Sequence, residues 1–346
     1  QAVRRLMYLP DHPSAEPAER FVSTGSLPLD GVVGELLDRA LVLFRDTSDG
    51  QLSRVYPVLA EADPGLFGLA LVGVDGVTQA AGDAEVEFTV MSIAKPFVFA
   101  LVSEAIGIAE VRALVGVNPT GLPFNSIAAV ERADRGRTNP MVNAGAIATT
   151  SLAPGGDPSA RWEWLVDGLS RFAGRRFEVD ADTLASARAT NFRNRALAML
   201  LQEAGALVGD PLVALDLYTQ QCCLSLTAVD LATMGATLAD GGVNPLTGER
   251  VVSAAVARAT LAVMSVAGLY EGSGDWLLDV GFPGKSGISG GLVAVSPGKG
   301  ALGAFSPLLD SDGNSVRGQL AARFLAAELG LDLFSSVPVR KSGGRA

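Results

Sequence analysis

The chain has 346 residues, with 27 lysines and arginines against 37 aspartates and glutamates, two cysteines and a single histidine. Hydrophobic residues make up 48% of it and charged residues 18%, which is typical of a well-packed globular protein and excludes a disordered chain. The acidic balance argues against nucleic acid as a partner, and the single histidine, His12, argues against zinc sites and Ser–His–Asp triads. A base for proton transfer near neutral pH is therefore a tyrosine, an acid or one of four lysines: Lys95, Lys285, Lys299 and Lys341.

Residues 1–28 are rich in Pro, Arg and Glu, and we expect them to form an N-terminal arm. Apolar residues at helical spacing predict a helix over 33–46. The apolar run Phe67–Val74, followed by an Asp-Gly pair, predicts a β-hairpin. Alternating residues predict another strand over Glu85–Val90, which leads directly into a helix predicted over Ser92–Ile106.

The middle of the chain is predicted to be mostly helical, and strands return near its end. Predicted helices there are Arg161–Phe172, Phe192–Ala204, Pro211–Gln221 and Ala228–Ala239. They are followed by predicted strands at Leu277–Val280, Gly291–Val295 and Ala301–Phe305, and by a last helix at Val316–Leu329. This order predicts an α+β fold, an antiparallel sheet flanked by helices with an inserted all-helical domain. The predicted division is an arm (1–28), a discontinuous sheet domain (29–106 and 255–335), a helical domain (107–254) and a tail (336–346).

Cellular context is predicted from what the sequence does not show. The sequence shows no signal-peptide pattern and no apolar run of about 18 residues, so we expect a cytoplasmic protein with no membrane contact. Cys222 and Cys223 are adjacent, and neighbouring cysteines rarely pair. The absence of a disulfide framework is therefore expected, in keeping with a reducing compartment.

The most informative local pattern is Ser92-Ile93-Ala94-Lys95, which follows a predicted strand and opens a predicted helix. A spacing of three places Ser92 and Lys95 on one helical face, with their Cβ atoms ~5–6 Å apart. A lysine can accept the proton of a serine hydroxyl only when burial or a nearby cation lowers its pKa, and the flanking residues here are apolar. In the alternative interpretation, Ser92 caps the helix and Lys95 is solvated in its first turn.

A second lysine motif, Lys285-Ser286-Gly287, precedes the strand predicted at 291–295. Serine acyl-transfer enzymes with an S-x-x-K motif often carry such a K-[ST]-G segment near the nucleophile, where backbone N–H groups hold an oxyanion. We therefore expect Lys285 at the substrate. Similar patterns at Ser296–Lys299 and Lys341–Gly343 are interpreted as chance matches, because a Pro-Gly pair interrupts the first and the second lies in the tail.

Four other polar side chains are candidates for the same site. Asn143 begins a helix of small residues, where it either orients a substrate or caps the helix. Asn194 lies in an apolar helix, so its amide needs a ligand or a partner in the core. Tyr218 and Tyr270 are two of four tyrosines, and each is either a site residue or a packed ring with a satisfied hydroxyl.

These segments together resemble the serine-dependent glutaminase family, whose fold is related to that of serine β-lactamases and penicillin-binding proteins. The resemblance spans about residues 50–320 and rests on several motifs in order along the chain. They are Ser92–Lys95, Gly121–Ser126, Asn139–Ala146, Arg193–Ala196, Tyr218–Cys222, Gly241–Pro245, Lys285–Gly291 and Gly313–Gly318. The resemblance implies hydrolysis of the side-chain amide of L-glutamine to glutamate and ammonia, without metal or organic cofactor, by a homo-oligomer (dimer or tetramer).

The resemblance also implies roles for individual residues. Ser92 is implied to be the nucleophile and Lys95 its base. Tyr218 and Tyr270 are implied to contact the substrate and assist proton transfer.

The same resemblance implies which groups hold the substrate. Asn143 and Asn194 are implied to bind its amino-acid end. The backbone N–H groups of Ser92 and Ile288 are implied to form the oxyanion hole, and Ile288 stands where the family usually has Val.

Three positions depart from the family pattern. Met91 replaces the usual Gln before the nucleophile, and Ala187 replaces a Glu that contacts the substrate's amino end. Val55 stands where the family has a tyrosine, although Tyr56 is adjacent. Losing a carboxylate that pairs with an ammonium removes a bond worth on the order of 1.5–3 kcal/mol.

These departures keep the residues of the chemistry but change those of substrate recognition, which suggests two alternatives to a glutaminase. One is the same acyl-enzyme chemistry on an amide, lactam or ester without a free α-amino group, and the other is a non-catalytic binding module.

Overall fold

A computed structural model describes residues 27, 28 and 30–336; His12, Lys341, most of the predicted arm and nearly all of the predicted tail lie outside them. The helices are α1 (Asp30–Phe44), α2 (Ala94–Ile106), α3 (Ile108–Val115), α4 (Ile127–Arg132), α5 (Asn143–Ser151), α6 (Pro158–Ala173), α7 (Ala181–Thr190), α8 (Phe192–Glu203), α9 (Pro211–Cys222), α10 (Ala228–Ala239), α11 (Ala254–Ala267), α12 (Ser273–Asp279) and α13 (Val316–Leu329). The strands are β1 (Gly68–Gly73), β2 (Thr78–Gly82), β3 (Phe88–Thr89), β4 (Ser225–Leu226), β5 (Gly284–Ser286), β6 (Gly291–Ser296) and β7 (Gly300–Phe305).

Strands from both ends of the chain form one antiparallel sheet in the order β2-β1-β7-β6-β5. The hairpin β1–β2 pairs through β1 with β7, so that Gly68 lies opposite Phe305. The predicted α+β class, with an antiparallel sheet built from the two ends of the chain, is confirmed. β3 and β4 form a separate two-stranded ribbon.

Alternation along the strands sends side chains into two cores, one on each face of the sheet. In β1, Leu69 and Leu71 pack with α1 and α13 on one face. Ala70 and Val72 belong to the larger core on the other face, which α2, α6, α10 and α11 complete. The strands β1, β6 and β7 are therefore buried between two helical layers, and they read as largely apolar runs because both of their faces are covered, whereas the edge strand β2 is mostly exposed.

Helix α10 packs directly on the sheet, although its residues fall inside the predicted helical domain 107–254. A Cβ added at Gly303 of β7 would lie 2.2 Å from the carbonyl oxygen of Ala228, and one added at Gly235 of α10 would lie 2.6 Å from the Ala301 side chain. Glycine on each element thus permits the close approach of the helix to the strands. The domain division itself stays a prediction.

The prediction of a strand at Leu277–Val280 is wrong. Residues 277–279 form the end of helix α12, and Val280 lies in the turn that follows it. Trp276 is buried while Leu278 is 84% exposed, a burial pattern that one face of a helix produces. The strand predicted over Glu85–Val90 shortens to β3, whose partner β4 lies in a region predicted to be helical. Short apolar runs do not distinguish helix from strand by periodicity alone.

Two features of the described chain concern disulfides and membrane spans. Cys222 and Cys223 are both buried free thiols, as their adjacency predicts.

Within the described residues no single helix is long and apolar enough to cross a membrane. The two segments Ala254–Ala267 and Tyr270–Asp279 meet the length and composition criteria only as a pair, bent by 99°.

Candidate active site

Ser92 lies in a single 3-10 turn, Met91–Ile93, between β3 and α2. The α-helix begins at Ala94, two residues later than predicted. Met91 has a φ of +48°, the left-handed region that side chains other than glycine rarely adopt, so the backbone is strained directly before the serine. The turn is held by the Val90 N–H, which donates to the carbonyl of Leu224 at 2.9 Å.

Lys95, in the first turn of α2, is 1% exposed and bonds only neutral acceptors in the described chain. Its Nζ donates to the Oδ1 of Asn143 at 2.7 Å and to the carbonyl of Met141 at 3.3 Å. Burial lowers the pKa of Lys95 from 10.5 to about 7. The interpretation of Lys95 as a solvated residue is therefore wrong, and a fraction of its amines is neutral at pH 7.

Asn143 joins four helices at this point. It is the first residue of α5, and the hydrogen bonds of its amide go to the side chains of other helices and not to the N–H groups of its own. Its Oδ1 also accepts the Tyr218 hydroxyl at 3.3 Å, and its Nδ2 donates to the Oδ1 of Asn194 at 2.9 Å. The amide thus connects Lys95 of α2 with α8 and α9.

Tyr270 is the tyrosine whose hydroxyl contacts Ser92. It lies in a 3-10 turn before α12, has a φ of +55°, and its ring is tilted on Phe124 with centroids 4.5 Å apart. Its hydroxyl forms a hydrogen bond with Ser92 and donates to the carbonyl of Ser286 at 3.4 Å. Burial raises the pKa of Tyr270 to about 12, so the phenol is protonated at neutral pH.

Lys285 lies inside strand β5 and is fully buried. Its Nζ donates to the carbonyl of Ser286 at 2.6 Å and lies 4.1 Å from the centroid of the Tyr270 ring. Burial and the nearby charge of Lys95 hold the pKa of Lys285 well below its usual range. Lys285 contacts Tyr270 and does not line the cavity described below, where it was expected to meet the substrate.

The third buried lysine, Lys299, lies outside this cluster. Its Nζ donates to the carbonyl of Gly330 at the C-terminal end of α13. Cations stabilise this end of a helix because the last carbonyls lack partners within it. The Ser296–Lys299 pattern is therefore structural, in agreement with its interpretation as a chance match.

A cavity of about 100 Å³ opens beside Ser92. It is lined by Val55, Tyr56, Met91, Ser92, Phe124, Asn125, Asn143, Thr190, Asn191, Arg193, Asn194, Tyr218, Cys222 and Ile288. Among the predicted site residues, Ser92, Asn143, Asn194, Tyr218 and Ile288 line it. Lys95 and Tyr270 do not line the cavity themselves. Lys95 is hydrogen-bonded to the lining residue Asn143, and Tyr270 to the lining residue Ser92.

Several lining residues were missed as site residues. Phe124, Asn125, Arg193 and Cys222 lie in motifs that carried the family resemblance, and position in those motifs was the available signal. Thr190 and Asn191 lie at the end of α7 and carried no such signal.

The three departures from the family pattern occupy different environments. Met91 is buried and lines the cavity, whereas Ala187 is 0% exposed and does not line it. Val55 is 53% exposed at the cavity, and the adjacent Tyr56 also lines it. Burial and the neighbouring Cys222 raise the pKa of Tyr56, so this hydroxyl is protonated and close to the thiol.

Cys222 is the other potential nucleophile at the cavity. Burial raises the pKa of its thiol to about 11, although a hydrogen bond with Tyr218 and the charge of Lys95 oppose this. Because the thiolate is the reactive form, Cys222 is a poor nucleophile at neutral pH. Ser92, with its hydroxyl bonded to Tyr270, is the better candidate.

The sheet flanked by helices and the buried Ser–Lys–Tyr cluster define an α+β protein with a candidate active site of the Ser–Lys type. The glutaminase family model matches residues 50–334. A Yersinia pestis protein named glutaminase 2 is 57% identical over 318 residues, which cover 92% of this chain and 94% of that protein. A Brucella canis glutaminase is 50% identical over 287 residues, which cover 83% and 90% of the two chains.

Solved structures agree with these sequence matches. The structure described as probable glutaminase YbaS has a TM-score of 0.88 and 43% identity, covering 89% of this chain and all of that one. A Bacillus subtilis probable glutaminase has a TM-score of 0.82 and 32% identity, covering 87% and 98% of the two chains. The chain belongs to the glutaminase family.

Proposed function

We propose that this protein is a serine-dependent amidohydrolase that converts L-glutamine to L-glutamate and ammonia through an acyl-enzyme on Ser92. Membership of the glutaminase family supports the reaction class. The observation that carries the proposal is the buried Lys95. Its Nζ bonds neutral acceptors, burial lowers its pKa to about 7, and its partner Asn143 lines the same cavity as Ser92. A base of this pKa is matched to proton transfer near neutral pH.

In the proposed reaction, neutral Lys95 takes the proton of Ser92 while Oγ attacks the amide carbon. The C–N bond then breaks, and the leaving nitrogen takes up a proton, which Tyr270 and Lys95 relay, to depart as ammonia. Water hydrolyses the resulting ester to the carboxylate and returns the proton to Ser92. These reaction steps do not need a metal or an organic cofactor, because the lysine performs the acid–base steps.

Stabilisation of the tetrahedral intermediate is assigned to the backbone N–H groups of Ser92 and Ile288. Both residues line the cavity. The segment before Ile288 approaches the serine turn closely, since a Cβ added at Gly287 would lie 3.0 Å from the Val90 carbonyl and 3.1 Å from the Ile93 side chain. Donors placed in this way act on charge that develops only in the transition state.

Ammonia release from millimolar L-glutamine tests the proposal directly. We expect turnover by the wild type and its loss in Ser92→Ala. Ser289→Ala is a matched control, because this buried hydroxyl bonds the carbonyl of Thr89 and does not line the cavity. Equal activity of wild type and Ser92→Ala, or no ammonia from the wild type, would refute the proposal.

We further propose that the protein is a cytoplasmic homo-oligomer, dimer or tetramer, as its family resemblance implies. Light scattering coupled to size exclusion gives the mass of the assembly. A mass of two or four chains supports this proposal, and a monomer contradicts it.

A further inference from the structure

Arg193 is the one charged side chain that lines the cavity among the described residues. It is the second residue of α8 and directly precedes Asn194. The residue is exposed to solvent while it lines the cavity, and its Nε donates to the carbonyl of Asn125 at 2.6 Å, which restrains the guanidinium. The ion pairs within the described residues are formed by other arginines. Among these residues, no carboxylate forms an ion pair with the positive charge of Arg193.

The remaining polar groups of the wall are neutral. Thr190 and Asn191 lie at the end of α7, and Asn125 and Asn194 present amides. A substrate carboxylate meets a cation and several N–H donors in this environment. A substrate ammonium meets neutral oxygens and the repulsion of Arg193, and no described lining residue is an aspartate or glutamate.

We propose that the site selects primary amides by a carboxylate at the far end of the substrate, held by Arg193, and does not require a free α-ammonium. The substrate class is then the terminal amides of five-carbon dicarboxylic acids, with glutaramate accepted alongside L-glutamine. This proposal rests on the amidohydrolase function proposed above. It adds Arg193 as a specificity-determining residue.

Three amides of similar length separate the contributions of the two charged groups. L-Glutamine has both the carboxylate and the ammonium, glutaramate has only the carboxylate, and pentanamide has neither. We expect kcat/KM for glutaramate to lie within about tenfold of that for L-glutamine. Loss of the charge-assisted bond lowers kcat/KM for pentanamide by about tenfold to a hundredfold relative to glutaramate.

Arg193→Gln tests the residue itself, by ammonia release from the same three amides. We expect KM for L-glutamine and glutaramate to rise by about tenfold to a hundredfold, with kcat/KM for pentanamide unchanged. Arg258→Gln is the matched control, since Arg258 is exposed on α11 and does not line the cavity. The control is expected to change none of the three values.

The outcomes distinguish this inference from the proposed function. If L-glutamine is hydrolysed and glutaramate is at least a hundredfold poorer, the ammonium is required and the inference is overturned while the function stands. If Arg193→Gln leaves the preference for glutaramate over pentanamide unchanged, another group holds the carboxylate and the inference is overturned. If the wild type hydrolyses none of the three amides, both the function and the inference fail.

Discussion

The Nζ of Lys95 lies 2.7 Å from the Oδ1 of Asn143, so the buried amine is held by an amide and not by a carboxylate. A carboxylate at this distance would favour the ammonium form and raise the lysine pKa. The neutral acceptor leaves burial as the dominant effect, which lowers the pKa of Lys95 to about 7. The same contact therefore positions the lysine and keeps it available as a base.

The pH profile of the reaction is expected to report Lys95. Since the base must be neutral, kcat/KM should rise about tenfold per pH unit in acid and level off above the lysine pKa, about 7. Asn143→Asp places a carboxylate at the same position and is expected to move this limb to higher pH by about 1–3 units. An acid limb at the same pH in both proteins would show that another group titrates.

Removal of the Tyr270 hydroxyl tests its role in proton transfer. Tyr270→Phe keeps the ring that packs on Phe124 but removes the hydrogen bond with Ser92. We expect kcat to fall by about 10²–10⁴-fold in steady-state assays. Tyr56→Phe is the comparison, because Tyr56 lines the cavity wall, and its effect should appear mainly in KM. Equal effects of the two substitutions on kcat would contradict a specific role for Tyr270.

Lys95 is expected to reduce the stability of the fold. Its pKa is about 7 in the folded protein against 10.5 for an exposed lysine, so the unfolded chain binds more protons between these values. The free energy of unfolding therefore rises with pH across this window. Lys95→Met removes the penalty and is expected to stabilise the protein by about 1–3 kcal/mol at pH 7, with a smaller gain towards pH 10. Urea unfolding of both proteins at several pH values measures this difference, and a gain independent of pH would be inconsistent with it.

Asp230 is expected to stabilise α10, the helix packed on the sheet. Its carboxylate accepts the Thr227 N–H at 2.8 Å in a capping box and two hydrogen bonds from Arg175, at 2.7 and 2.6 Å. Asp230→Ala should lower the free energy of unfolding by about 2–3 kcal/mol. The more exposed Glu87, 3.3 Å from the same arginine, is the control, and Glu87→Ala should cost less than about 0.5 kcal/mol. Similar losses in the two variants by chemical denaturation would argue against this role for the capping box.

Much of the fold was predictable because the informative signals are local. The helix at Val316–Leu329 and the strand at Gly291–Ser296 agree with the apolar patterns of the sequence. The pairing of Phe88 with Leu226 was not predictable, because it depends on contacts between segments far apart in the chain. Strand β5 was missed because it has three residues and carries a buried lysine, a residue type that patterning places outside the core.

The sequence predicted which residues belong to the site better than it predicted the contacts between them. The Ser92 and Lys95 motif indicated a base, but Asn143, whose Oδ1 accepts a hydrogen bond from the lysine Nζ, is 48 residues away. Arg193 lies in one of the motifs that carry the family resemblance, but the motif does not show that its side chain lines a cavity with Asn125, because that depends on the fold. Residues that act through long-range contacts are found only when the chain is folded.

The central claim is the acyl-enzyme on Ser92, and covalent labelling followed by peptide mass spectrometry tests it most directly. A glutamine analogue with a diazomethyl ketone in place of the amide loses dinitrogen when a nucleophile attacks, leaving its carbon skeleton attached. We expect the label on the peptide containing Ser92, with protection by L-glutamine and no label in Ser92→Ala. A label on Cys222, or equal labelling of wild type and Ser92→Ala, would contradict the account.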